Sequence, residues 1–360
     1  MFEIILALFI FLLEGLFFNI IGLSKEKSQK SFAFIIFIQL FIIAGFRHVD
    51  ILNDSLTYAI NFSNIDPNEP IFKIEGRFEP LYQILSKLIY IYVSSEPLAL
   101  FVVTSIIIQF ITVRFLYKYS NNLCLSVFLF ITFRFYFFMV SGIRQGIAVA
   151  LCFFAIDYLL KNKKTAFVFI VIFATMFHYS ALIFLIIFFI KDVSFNFKYL
   201  FFIGTMTILT MLSMTYISNT LFSYMNYGKQ YYEAGIELDS TFGATLITLN
   251  YLLVFLFGYL FKYKKLSSPT AIDNVEIWGI FIAFLIQALC IKFGILIRFT
   301  YYFAPLAVLI IPSTIKYMKS KEIKVASTVF WVIFSFMQFV IILVYRPEWY
   351  KFYPYKFYWD

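Results

Sequence analysis

The segment "SGIRQGIAVA" places a guanidinium and an amide, Arg144 and Gln145, between two long apolar runs. A charge among apolar side chains costs free energy unless it has a partner, so such residues are candidates for function. An arginine at a helix start, beside unpaired backbone N–H groups, can hold an anion such as phosphate. Gly142 and Gly146 allow a ligand or a neighbouring backbone to come close. We therefore predict that Arg144 binds a phosphate and takes part in catalysis, with Gln145 and the nearby Arg134 in substrate binding. The alternative is an arginine that extends to lipid headgroups.

Three residues are candidates for accepting a proton. His178 in "FHYSALIFL" is one of two histidines in the chain, and a neutral imidazole accepts a proton readily at neutral pH. A carboxylate beside arginines is held ionised, which suits it better to orienting a hydroxyl. We predict His178 as the general base, Glu79 of "FEPLYQIL" as the second candidate, and Asp54 as an orienting residue. Alternatively, His178 is a hydrogen-bonded core or capping residue, and Glu79 stabilises a helix start.

Two further segments combine arginine with tyrosine. Arg47, Asp50, Asp54 and Tyr58 follow one another at steps of three and four residues, which on a helix puts them on one face. We predict that Arg47 and Tyr58 bind substrate, although a self-paired surface helix would show the same spacing.

In "IRFTYYFAP", Arg298 precedes Tyr301 and Tyr302 by about one helical turn. This pattern suits a phosphate and a sugar together, although tyrosines alone also occur at membrane interfaces. Arg144, Arg298 and Arg47 are expected to converge on one externally open cavity.

The elements that position these residues are predicted to be membrane helices. The chain of 360 residues is 62% hydrophobic and only 14% charged, and apolar runs of about 18 residues or more indicate membrane-spanning helices. We predict an all-α, polytopic membrane protein with about 12 transmembrane helices in a single membrane domain, residues 1–360. The candidate spans are 2–22, 32–46, 97–117, 122–140, 145–160, 164–177, 179–190, 198–218, 242–261, 274–292, 295–315 and 325–345.

The distribution of lysine and arginine predicts the orientation of the helices. Basic residues are concentrated in alternate connections, which the positive-inside rule assigns to the cytoplasm. The segments 47–96 and 219–241 and the C-terminal tail 346–360 are then external. The stretch 79–93 is short, amphipathic and interrupted by Lys87, so we predict an interfacial or re-entrant helix that does not cross.

Several functional classes are excluded or left without support. The net charge of +9 lies in short loops between spans, which argues against a nucleic-acid partner. The three cysteines show no paired spacing, and no HExxH, Walker A or glycine-rich nucleotide motif occurs. We therefore expect no metal and no cofactor.

Five blocks occur in one order along the chain: "AGFRHVDILNDSLTYAI", "FEPLYQILSKLI", "SGIRQGIAVALCFFAI", "FHYSALIFL" and "RFTYYFAP". Together they resemble the EpsG family, the Wzy-like polymerases of bacterial O-antigens and exopolysaccharides, over roughly residues 1 to 320. The positions that match the family pattern are Arg47, Asp54, Tyr58, Glu79, Arg144, Gln145, His178, Ser180 and Arg298.

The resemblance implies a glycosyltransferase that moves a growing glycan from undecaprenyl pyrophosphate onto a lipid-linked repeat unit, independently of metal and nucleotide. It implies the outer face of the bacterial inner membrane as the site of reaction. The lipid bilayer and a chain-length regulator protein are further candidate partners. A flippase for lipid-linked oligosaccharide and an O-antigen ligase are the alternatives, although a flippase typically shows an internal repeat and none is evident here.

Overall fold

The chain is helical throughout its described parts. A computed structural model describes residues 10–11, 13–15, 25–74, 76, 78–199, 201–206, 208–210, 241–349 and 351–360. It is 76% helix, and these residues form no β-strand. In chain order the α-helices are α1 (Lys25–Gly45), α2 (Ser55–Ser63), α3 (Pro80–Tyr92), α4 (Pro97–Tyr119), α5 (Leu123–Thr132), α6 (Phe135–Ser141), α7 (Ile143–Leu160), α8 (Lys164–Thr175), α9 (Ile186–Ile190), α10 (Thr241–Phe261), α11 (Ala271–Cys290), α12 (Ile297–Thr300), α13 (Ala307–Tyr317) and α14 (Lys321–Tyr345). The all-α prediction is confirmed.

The helices form two compact units. The first contains Met1–Leu182 and Lys319–Asp360, and the second contains Ile183–Met318. In the first unit, α4 packs against both α1 and α7, and α7 packs along α8. In the second unit, α10 packs against α11 and α13.

Several helices are long and apolar enough to cross a membrane. In the described residues there are six such helices, or up to eight if each bent pair counts as one span. The bent pairs are α5 with α6, which turn by 61°, and the residues Gly294–Thr300 with Ala304–Tyr317, which turn by 50°. The chain is thus a multi-pass membrane protein.

The expected twelve spans are not confirmed. The runs 164–177 and 179–190 form helices shorter than 18 residues, too short to cross alone. The predicted spans 2–22 and 198–218 lie largely or partly outside the described residues, as does the external segment 219–241 except for its last position.

The predicted helix at 79–93 is confirmed as α3, which starts with Pro80 in its first turn. Proline suits this position because its missing N–H would have no partner there. With 13 residues, α3 spans about 20 Å, less than the hydrocarbon core of about 30 Å.

The predicted helical face of Arg47, Asp50, Asp54 and Tyr58 is wrong. Helix α2 begins only at Ser55, with Asp54 as its N-cap residue. The preceding residues form turns, including Leu52 at a φ of 70°, a left-handed conformation that interrupts a helix. Arg47 and Tyr58 are therefore held by different local structures.

The C-terminal tail packs on this turn region. The backbone N–H of Tyr358 donates to the carbonyl of Phe46 over 2.8 Å, and that of Leu52 donates to the carbonyl of Lys351 over 2.9 Å. Phe352 is buried and stacks on Phe137 of α6 with ring centroids 4.0 Å apart. The tail is thus an integral part of the first unit.

Candidate active site

An ion pair between Arg144 and Glu79 forms the centre of the candidate site. Arg144 lies in the first turn of α7, and Glu79 is the extended N-cap residue of α3. The Nη1 atom of Arg144 donates to Oε2 of Glu79. The Glu79 side chain is 5% exposed and that of Arg144 is 21% exposed, so the carboxylate is enclosed while the arginine side chain stays partly accessible. Glu79 makes no capping hydrogen bond to α3, which argues against a purely helix-stabilising role.

His178 approaches the same carboxylate from the other side. Its Nδ1 atom lies 3.9 Å from Oε1 of Glu79 and 2.9 Å from the hydroxyl of Ser180. The Leu81 N–H donates to the carbonyl of Met176 over 3.0 Å and ties the start of α3 to the end of α8. The two sequence candidates for the proton acceptor are therefore brought together.

The path of the chain explains why Arg144 and His178 meet. Helices α7 and α8 are joined by a short connection and pack along each other. At 1.5 Å per residue, α7 descends about 24 Å from Arg144, and α8 together with its following turn returns over about 21 Å. The start of α7 and the turn after α8 consequently lie at similar depth.

Gly146 fixes the contact of α7 with α6. A Cβ added at this position would overlap the backbone carbonyl of Met139 and press on Ile108, 3.1 Å away. Only glycine permits this approach. The sequence allowed for a close neighbour here, and the neighbour is protein backbone.

Three aromatic rings pack around the ion pair of Arg144 and Glu79. The Arg144 guanidinium lies 4.4 Å from the ring centroid of Phe78, and its Nε donates to the Tyr58 hydroxyl over 3.4 Å. The rings of Phe78 and Tyr82 are perpendicular, with centroids 5.5 Å apart. Burial raises the pKa of Tyr58, against the lowering effect of Arg144, and burial also raises the pKa of Tyr82. Both phenols stay protonated at neutral pH.

Arg47 is buried, and its three guanidinium nitrogens donate hydrogen bonds to neighbouring protein groups. Its Nε donates to the Ser55 hydroxyl over 3.0 Å, Nη2 donates to the carbonyl of Val140 over 3.1 Å, and Nη1 donates to that of Ala44. The side chain lies over Phe101, and burial lowers the pKa of the guanidinium to about 10. Arg47 links the end of α1, the start of α2 and the end of α6.

Arg134 occupies the break between α5 and α6. Its φ of 68° is left-handed, and the residue is 4% exposed. The Nε and Nη1 atoms have no hydrogen-bond partner among the described residues. Arg134 is not brought into contact with Glu79 or Arg144.

The remaining predicted residues are distributed over both units. Gln145 is buried in the first turn of α7, and Asp54 precedes α2. In the second unit, Arg298 is half-buried on α12, and Tyr301 and Tyr302 are buried in the break that follows it. The structure thus brings together Glu79, Arg144, His178 and Tyr58 within the first unit.

Sequence reasoning missed Phe78 and Tyr82, which flank Glu79 at one residue before and three residues after. Their spacing around the carboxylate is the only signal, and it is weak in a chain with 51 Phe and 26 Tyr.

Asp157 is the centre of a second cluster of charged and polar side chains. It accepts hydrogen bonds from Arg114, Lys118 and Tyr119 at the far end of α7.

Among the described residues, no group of three or more His, Cys, Asp or Glu side chains could hold a metal ion.

In a helical membrane protein, an arginine–carboxylate pair with a neighbouring histidine at the helix ends is a candidate functional site. The model of the EpsG family matches residues 30–357, nearly the whole chain, and the chain therefore belongs to the EpsG family, whose members are Wzy-type polymerases. No curated protein and no solved structure matches the chain. Family membership indicates a membrane polymerase of glycans with glycosyltransferase activity.

Proposed function

We propose that the protein is a polysaccharide polymerase that transfers a growing glycan from undecaprenyl pyrophosphate onto a lipid-linked repeat unit. The observation that supports this most is the row of Arg144, Glu79 and His178, which combines an anion-binding group with a proton acceptor. The reaction takes place at the outer face of the bacterial inner membrane, where the positive-inside rule puts these residues. The donor bond already holds the energy for transfer, so the mechanism uses neither nucleotide nor metal.

Arg144 is the proposed binding group for the donor pyrophosphate. The acceptor hydroxyl oxygen forms a bond to the anomeric carbon of the donor glycan, and the bond from that carbon to the pyrophosphate oxygen breaks. The electron pair leaves with undecaprenyl pyrophosphate, whose growing negative charge a guanidinium stabilises. The Arg144 side chain is 21% exposed, and a guanidinium carries N–H donors in the fork geometry that phosphate accepts.

His178 is the proposed base that takes the proton from the acceptor hydroxyl. Glu79 has one oxygen bonded to Arg144 and the other facing the imidazole, so it serves to hold both groups in place. Tyr58 keeps its phenol proton and can donate a hydrogen bond to substrate. These roles divide charge stabilisation from proton transfer.

The other predicted residues receive secondary roles in the proposal. Arg47 is a positioning residue, because its buried hydrogen bonds fix α1, α2 and α6 around the site. Arg134 offers unsatisfied N–H groups to an anionic part of substrate. The remaining assignments are substrate binding by Gln145, Arg298, Tyr301 and Tyr302, and orientation of the acceptor by Asp54. A chain-length regulator is the proposed protein partner.

Purified protein supplied with a single lipid-linked repeat unit tests the reaction class. A polymerase converts this substrate into a ladder of glycans that grow by whole repeats. Unchanged substrate would contradict the proposal and favour the flippase or the ligase, which need a second compartment or a different acceptor.

A further inference from the structure

A cavity of about 260 Å³ lies between α2, the segment that follows it and α3, and Phe78, the residue before Glu79, is part of its lining. Its rim carries Asn61 and Asn64, which are exposed, and Asp66. Its floor is formed by α3 through Tyr82 and Gln83. The volume is slightly below the roughly 300–1,000 Å³ typical of pockets for drug-sized ligands, so the cavity suits a small, single-ring compound.

The side chains that line the cavity suit a sugar ring. Phe78 and Tyr82 offer aromatic faces and edges at right angles, on which the C–H groups of a sugar can pack. Asn61 and Gln83 each donate one amide N–H to a backbone carbonyl, that of Thr57 and that of Phe78, and an amide also carries a second N–H and an acceptor oxygen. These groups and the exposed amide of Asn64 can pair with the hydroxyl groups of a sugar.

The charges around the cavity are balanced. Two acids, Asp66 and Glu69, accompany two bases, Lys73 and Lys87. Lys73 pairs with Glu69 over 2.6 Å, and Lys87 donates to the carbonyl of Pro70 over 3.3 Å. Lys87 is only 7% exposed, so its bond to Pro70 anchors the segment after α2 on α3 and shapes the cavity. A neutral, hydroxyl-rich ligand fits this balance better than a phosphate does.

Phe78 is the shared wall between the cavity and the charged pair. The Arg144 guanidinium lies over its ring, and Glu79 is the next residue. A sugar in the cavity is therefore next to the groups that our proposal assigns to transfer.

We infer that this cavity binds the acceptor sugar, the ring of the lipid-linked repeat unit that carries the attacking hydroxyl. The assignment of this sugar as the acceptor rests on the proposed function, whereas sugar binding itself rests on the cavity alone. Asn61, Asn64 and Gln83 then select the acceptor by the positions of its hydroxyl groups.

Substitution at the rim tests the inference. Asn64→Trp places a bulky ring at the cavity mouth, and Asn68→Trp is the matched control because Asn68 lies on the same exposed segment outside the cavity lining. The probe is the free repeat-unit oligosaccharide, released from its lipid pyrophosphate by mild acid and observed by saturation-transfer NMR. We expect transfer with the wild type and with Asn68→Trp, and its loss with Asn64→Trp.

Kinetics separate the inference from the proposed function. Asn64→Trp should raise the KM for the lipid-linked repeat about tenfold, equivalent to about 1.4 kcal/mol, while kcat is unchanged. Equal oligosaccharide binding by Asn64→Trp and the wild type, or no binding by the wild type, overturns the inference even if ladders form. In a third outcome, the wild type binds the oligosaccharide but forms no ladder, and Asn64→Trp abolishes the binding. This result supports the sugar site and refutes the polymerase proposal.

Discussion

His178 and Glu79 lie close enough that the base must be assigned by comparing variants at both positions. We expect His178→Ala to lower the rate of ladder formation by about 10²–10⁴, the usual contribution of a general base, with substrate binding retained. His48→Ala is the matched control, since His48 is the other histidine and pairs with the more exposed Asp50. Near wild-type rates for His178→Ala combined with an inactive Glu79→Gln would exchange the two roles.

Arg134 and Arg47 are both buried arginines, but Arg47 has all three guanidinium nitrogens bonded, whereas Nε and Nη1 of Arg134 have no partner among the described residues. Removing the unsatisfied charge in Arg134→Met should leave the melting temperature unchanged or raise it, because a desolvated charge without partners is unfavourable. Arg47→Met should lower it, because three buried acceptors lose their donor.

Ladder formation by the same pair of variants completes the test. If Arg134 binds substrate, the variant Arg134→Met loses activity but stays as stable as the wild type. A strongly destabilised Arg134→Met would show instead that the arginine serves the fold.

The sequence identifies candidate residues more readily than it predicts their surroundings. Arg144, Glu79 and His178 were identified because ionisable groups are rare in such an apolar chain. The face assigned to Arg47 was wrong because residue spacing implies a shared face only within a helix, and α2 starts after Asp54. Burial of Arg47 depends on helices distant in sequence, which spacing does not reveal.

At the level of helices, the close packing of α6 on α7 sets the position of Arg144. Gly146→Ala introduces a methyl group into the backbone of Met139, so we expect a loss of stability of about 1–3 kcal/mol from overpacking. Gly142→Ala is the control, since its nearest neighbour, the carbonyl oxygen of Phe138, would lie 3.7 Å away at ordinary contact distance. Thermal unfolding in detergent measures both. Equal melting temperatures for the two variants would contradict the close approach.

Helix positions were predictable from apolar runs, whereas helix breaks were not. The span 122–140 is a bent pair with its break at Phe133 and Arg134, although no proline or glycine marks that point. Hydropathy reports which residues avoid water, and it does not report the backbone conformation between them. The ion pairs of Asp157 with Arg114 and Lys118 are also not predictable from hydropathy, because they join the ends of α4 and α7.

For the whole molecule, the proposed external position of the active site depends on the orientation of the chain in the membrane. In a variant without its native cysteines, Asn68→Cys should react with a membrane-impermeant maleimide added to intact cells. Lys264→Cys, also exposed but in a basic connection, should react only after the membrane is permeabilised. Labelling of Lys264→Cys in intact cells would place the basic connections outside and contradict the orientation.

The central claim, that Arg144 stabilises the leaving group of a glycan polymerase, is tested most directly by a ladder assay on matched arginine variants. Arg114→Ala serves as the control, because Arg114 also pairs with a carboxylate, Asp157, but at the opposite end of α7. We predict normal ladders from the wild type and Arg114→Ala, and a rate at least about 10²-fold lower from a folded Arg144→Ala, the cost of removing one such donor. Wild-type ladders from Arg144→Ala would contradict the account.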